Sequence, residues 1–178
     1  GGGEPEGPPL APDWWGEGRK YGSPACFEAP ESQPYDKPTL GMCVDSLGDE
    51  SDATSGDGWC ETAVGTCTLR AAIEELSEWR AGHAGIQTAN AQIAAGTIHL
   101  TAPLTPMTRF GLDGGGLTID GGQYGVQLFR VTTGTGGGAE LVNVALKNGF
   151  APSGAQGGAV QVLRGSVRLT NVILDNNH

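Results

Sequence analysis

The chain has 178 residues, 31 of them glycine, and a formal charge of −10. Such a length suits one domain, and so much glycine argues for a repetitive β architecture over a compact α/β enzyme. The acidity is concentrated in the first third, no basic stripe is offered to a phosphate backbone, and no apolar run approaches the ~20 residues of a membrane-spanning helix. Nucleic acid is therefore not expected as a partner.

Residues 1–40 carry eight of the 11 prolines and open with "GGGEPEGPPLAP", a composition that suits an extended acidic arm or tether. Trp14, Trp15, Tyr21, Phe27 and Tyr35 are expected to hold much of this arm on the domain, with Cys26 as a covalent tie. The opening triglycine is either a non-native extension or resembles the residues that follow the lipidated cysteine of a bacterial lipoprotein. The second reading implies a lipid anchor upstream of Gly1.

Residues 41–95 read as a cap. The four cysteines, Cys26, Cys43, Cys60 and Cys67, are even in number and set in acidic Gly/Pro/Ser-rich sequence, which predicts two disulfides and an oxidising compartment. Chain order suggests Cys26 with Cys43 and Cys60 with Cys67, although four cysteines allow three connectivities. Their spacing lacks a CxxC and does not fit a zinc knuckle. Between them, Asp45, Asp49, Asp52 and Asp57 sit among Gly and Ser, where turns could gather them on calcium. The spacing is not that of an EF-hand loop, and a solvated acidic loop is the competing reading.

A helix is predicted over about residues 68–81. Thr68 can act as its N-cap, Leu69, Ile73, Leu76 and Trp79 recur on one face, and Gly82 can close it. A short helix with one apolar stripe must lie on something.

From residue 96 to 178 the sequence breaks into short β-rich runs separated by glycine: "GTIHLT", "GGLTIDGG", "VQLFRV", "AELVNVAL", "GGAVQVL" and "GSVRLTNVIL". "LVNVALKN", 141–148, aligns with "LTNVILDN", 169–176. A unit of this size cannot bury its own apolar face, so the pattern predicts an all-β solenoid in which Val144 and Leu146 stack on Val172 and Leu174. Asn148 and Asn176 are placed at the repeat turns, where asparagine tolerates left-handed backbone and its amide can bond the next layer. The helix, pinned by a Cys60–Cys67 loop, would then cover the exposed first layer. The chain ends on a repeat with no evident cap, which predicts either truncation of a longer solenoid at its C-terminus or self-association through an open edge.

The stretch "GDGWCETAVGTCTLRAAIEE" resembles the bacterial motif named for its Cys-Ser-Leu-Arg-Glu-Ala segment, here "CTLRAAI" at Cys67 to Ile73, with Thr68 for Ser and Ala71 for Glu. "GGAV" at 157–160 and "LDNN" at 174–177 are similar to the repeats of polymorphic outer-membrane proteins. The resemblance implies a right-handed parallel β-helix of an extracellular or bacterial cell-surface protein, opened by the stapled capping helix. It further implies an adhesin-like, structural or scaffold role toward a glycan or a surface protein.

Carbohydrate-active enzymes also use parallel β-helices, so catalysis has to be sought in residues. A lyase would need clustered acids and a basic side chain on one face, and the candidates are Asp113, Asp120, Arg109, Arg130, Arg164 and Arg168. A glycoside hydrolase needs two suitably separated carboxylates, and the β-region before its last strand offers Asp113, Asp120 and Glu140. Asp113 and Asp120 each precede glycine, a turn context that accounts for them without catalysis. His83, His99 and His178 show no metal-ligand spacing. The sequence therefore favours a non-catalytic role and no cofactor, with a polysaccharide lyase or glycoside hydrolase as the alternative.

Overall fold

The computed structural model describes residues 39–57, 59–82, 88–93, 95–122, 124–134 and 138–178. The arm at 1–38, including Cys26, and the side chains of Cys43 and Trp79 lie outside them, as does any Cys26–Cys43 bond. Eight strands and one 14-residue helix are described: β1 Thr39–Val44, α1 Leu69–Gly82, β2 Thr88–Ile93, β3 Thr97–His99, β4 Phe110–Asp120, β5 Phe129–Thr132, β6 Gly138–Lys147, β7 Val160–Arg164 and β8 Ser166–Asp175.

Every strand pairing among the described residues is parallel. One sheet runs β1-β2-β4-β6-β8, with β3 also on β4, and a second consists of β5 and β7. From β4 onward the chain alternates between the two sheets. Parallel neighbours cannot be joined by a hairpin, and here each crossover between β4, β6 and β8 contributes a strand to the other sheet. Segments expected to be strands are strands throughout residues 96–178. β1 and β2 were not anticipated; they lengthen the sheet at the cap end, and α1 packs against both.

The apolar residues form columns across the sheet. Across β4, β6 and β8 the register runs Phe110 to Ala139 to Val167, Leu112 to Leu141 to Leu169, Leu117 to Val144 to Val172, and Ile119 to Leu146 to Leu174. On β4 and β6 these side chains are buried, and Leu104, Leu128, Phe129 and Val131 complete the same core. On β8 the columns open: Leu169 and Leu174 are exposed because β8 is the outer strand of its sheet. Leu174, expected inside with Leu146, keeps the register but not the burial.

Leu141 and Val144 are both buried although three residues apart, whereas an unbroken strand would point them to opposite faces. Asn143 resolves this with a left-handed backbone (φ 53°), turning the strand by one residue. Asn171 does the same in β8 (φ 52°). β4 has two extra residues at this corner, and its register with β6 is interrupted between Asp113 and Leu117. Gly115 and Gly116, at φ 52° and 96°, absorb them in conformations that cost glycine little.

The helix starts where its cap predicts. Ala71 N–H donates to Thr68 Oγ1 at 3.0 Å, and Thr68 Oγ1 itself donates to the Glu50 carbonyl. Leu69, Ile73 and Leu76 are buried as the stripe requires, and Ala71 and Ala72 widen it. Ala71, at the position where the resembling motif has Glu, has no exposed surface. The Cys60–Cys67 disulfide closes the loop ahead of the helix, with both cysteines buried.

Candidate functional site

Two groups of polar side chains are organised well enough to be examined as sites: the acidic loop beside α1, and the turns that flank the second halves of β4, β6 and β8.

In the acidic loop, each of the four aspartates considered for calcium is occupied by a protein donor. Asp45 Oδ1 accepts from Cys67 N–H at 2.8 Å, Asp57 Oδ1 from Trp59 N–H at 2.9 Å, and Asp52 from Thr54 N–H and Glu61 N–H through its two oxygens. Burial raises the Asp52 carboxyl above its ordinary pKa, against the two backbone N–H groups that lower it. Among the described residues no group of three or more His, Cys, Asp or Glu side chains could hold a metal ion.

Asp49 makes the strongest of these arrangements. Its carboxylate receives Arg70 Nε and Nη2, both at 3.0 Å, and Oδ2 also accepts from Thr101 N–H and Oγ1 at 2.7 and 2.8 Å. Arg70 then donates onward to the carbonyls of Ala102 and Pro103. The arginine of the "CTLRAAI" stretch therefore ties the helix, the acidic loop and the segment after β3 together. Glu75 is fully buried and accepts from Gly56 N–H. These carboxylates hold α1, the acidic loop and the segment after β3 together.

The second group forms two ladders. In one, Asn143 Nδ2 donates to Asp113 Oδ1 at 3.2 Å and Asn171 Nδ2 to Asn143 Oδ1 at 2.6 Å. In the other, Asn148 Nδ2 donates to Asp120 Oδ1 at 2.9 Å and Asn176 Nδ2 to Asn148 Oδ1 at 2.7 Å. All four asparagines have left-handed backbones, with φ between 51° and 53°. The second ladder joins the turn asparagines expected from the repeat. The first was not anticipated; the recurrence of Asn143 and Asn171 at the repeat length was the available signal.

Each ladder begins on a carboxylate that was a catalytic candidate. Asp113 Oδ1 also accepts from Gly115 N–H, and Asp120 Oδ1 from Gly122 N–H at 2.8 Å. The Asn148 amide, followed by the Gly122 N–H, holds the Asp120 carboxyl below its ordinary pKa, and His99 and Lys147 add to that effect. Of the other candidates, Arg168 lies 3.7 Å from its register partner Glu140 on an exposed face. Arg109, Arg130 and Arg164 are exposed. No described contact gathers the two aspartates with these arginines.

Along the second ladder runs an open groove of about 500 Å³, lined by His99, Asp120, Asn148, Phe150, Asn176 and His178 among others. His99 Nδ1 lies 3.5 Å from Asp120 Oδ2, and His178 Nε2 lies 3.0 Å from Asn176 Oδ1. Phe150 is half exposed beside them. The groove thus offers a carboxylate, two primary amides, two imidazoles and an aromatic ring.

Comparison with protein-family models, with curated proteins and with solved structures finds no match to this chain. No helix among the described residues is long and apolar enough to cross a membrane.

Proposed function

We propose that the chain is the helix-capped part of a secreted or surface-tethered, right-handed parallel β-helix of the kind the Cys-Ser-Leu-Arg-Glu-Ala motif opens. Its role is structural, adhesive or scaffolding, without catalysis. The observation that carries this reading is the use made of Asp113 and Asp120. Both are first rungs of amide ladders, and each carries a backbone N–H and an asparagine amide on the same oxygen. A general acid needs a raised pKa and a free proton; the Asp120 carboxyl is shifted the other way. Alternation between two parallel sheets supports the helical winding, and the Cys60–Cys67 bond suits an oxidising exterior. The test is reducing-end release from neutral and acidic polysaccharides, with and without calcium. Product above a heat-treated control would replace this reading with a lyase or hydrolase.

A second reading, self-association, is favoured by the apolar surface at the outer strands. Leu163, Leu169, Ile173 and Leu174 are all more than 40% exposed on β7 and β8. An uncovered strand edge with such side chains accepts a further strand, by β-augmentation from a second copy. Sedimentation over a hundredfold concentration range checks it, and a constant monomer mass would remove it.

A further inference from the structure

The groove along the second ladder has hydrogen-bonding capacity that architecture does not use. Each of Asn148 and Asn176 spends one N–H on the rung below and keeps a second. Among the described residues Asp120 Oδ2 takes no hydrogen bond, with His99 Nδ1 3.5 Å away and the Lys147 charge acting on the same carboxylate. The rungs follow one another at the strand spacing, about 4.8 Å, which is close to the advance of one sugar ring along an extended chain. Beside these groups Phe150 presents its ring, 48% exposed, where burial would be the ordinary outcome for a phenylalanine.

We propose that this groove binds an extended neutral polysaccharide, with successive sugar hydroxyls on Asp120, Asn148 and Asn176 and a ring face against Phe150. The inference rests on the non-catalytic adhesive reading above and names its ligand. A hydroxyl both donates and accepts, so it satisfies a carboxylate oxygen and an amide N–H in turn. A polyuronate is disfavoured by the Asp120 charge, which Asn148 and Gly122 stabilise in place. Aromatic rings supply the apolar contact that the axial C–H face of a sugar needs.

The experiment is native electrophoresis of the whole chain through gels containing dextran, laminarin, mannan or xyloglucan, with polygalacturonate as the acidic comparison. Retardation by at least one neutral polymer is expected. Phe150→Ala should weaken it about tenfold, the worth of one well-packed aromatic contact, and Phe150→Tyr should preserve it. His99→Ala tests the groove independently of that ring and should also weaken binding, while Met107→Ala, at an exposed position away from the groove, should not. Melting temperatures of the variants accompany each gel. No retardation by any neutral polymer, retardation by polygalacturonate alone, or retardation that survives both Phe150→Ala and His99→Ala overturns the proposal. Reducing ends released during the same incubation would instead overturn the non-catalytic reading, whatever the gels show.

Discussion

Removal of the Arg70 side chain should loosen the cap more than any other single surface-near substitution. The guanidinium and the Asp49 carboxylate are only 11% and 7% exposed, and Arg70→Ala leaves that carboxylate buried against Thr101 alone. Breaking a buried pair by deleting one partner costs about 3–5 kcal/mol. The two Thr101 donors that remain put Arg70→Ala at the lower end, about 3 kcal/mol. With a urea dependence of about 2 kcal/mol/M, the midpoint should fall by roughly 1.5 M. Arg70→Lys keeps the charge without the two-pronged contact and should fall between wild type and alanine. A double-mutant cycle with Asp49→Asn, followed by tryptophan fluorescence and circular dichroism, isolates the pair. A shift below about 0.3 M for Arg70→Ala, or a coupling below about 0.5 kcal/mol, would refute the clamp.

Replacing both Cys60 and Cys67 by serine opens a loop spanning a sequence separation of seven and should cost about 2.5 kcal/mol by chain entropy; a urea midpoint unmoved in the double variant, or by reductant, counts against the staple. At Asn148, alanine loses the ladder amide and also strains a left-handed backbone by about 1–2 kcal/mol, whereas glycine loses the amide alone. Asn148→Gly should therefore be the milder change by thermal melting, and the reverse order would remove the backbone part of the argument. Because the folded pKa of Asp120 lies below its ordinary value of 3.8, its ionisation favours folding fully above that value and progressively less as pH falls through the folded pKa. The stability gap between wild type and Asp120→Asn should stay constant from about pH 7 to 5 and narrow below about pH 4; a gap that widens in acid contradicts the shift. Asp52, raised, works in the opposite sense and reduces stability as pH rises through the window just above 3.8.

What could be read from the sequence was whatever repeats or alternates. The LxNVxLxN unit announced the parallel stacking of β6 on β8, because a side chain that must meet its copy in the next layer has to recur at the layer length. The helix and its Thr68 cap were legible from local chemistry, and so was the Cys60–Cys67 pairing as one of its options. Contacts between unlike segments left no such trace. Arg70 meets Asp49 across 21 residues and the Ala102 carbonyl across 32, and no periodicity connects them. The burial of Glu75 left no trace either, because its partner is a backbone N–H in a loop. The acidic loop was open to a solvated reading and a calcium reading for the same reason: its donors are mostly main-chain groups, which composition does not display. Asp113 and Asp120 were read as turn residues; both lie in β4, each accepting from the N–H two residues on, and their place beneath Asn143 and Asn148 was hidden because β4 uses a different side chain for the same post.

The corner at Gly114 to Gly116 bears on how such a chain can change over generations. Asp113 and Asn143 share one ladder and Asp120 and Asn148 the other, yet the two posts are separated by two more residues in β4 than in β6. The surplus leaves both ladders bonded. A surplus of this size therefore fits at the corner, on glycines whose left-handed backbone costs little. The scaffold has a bonded skeleton with a permissive joint, a place where new surface can be tried, by evolution or by loop grafting, while the stack beneath it stays in register.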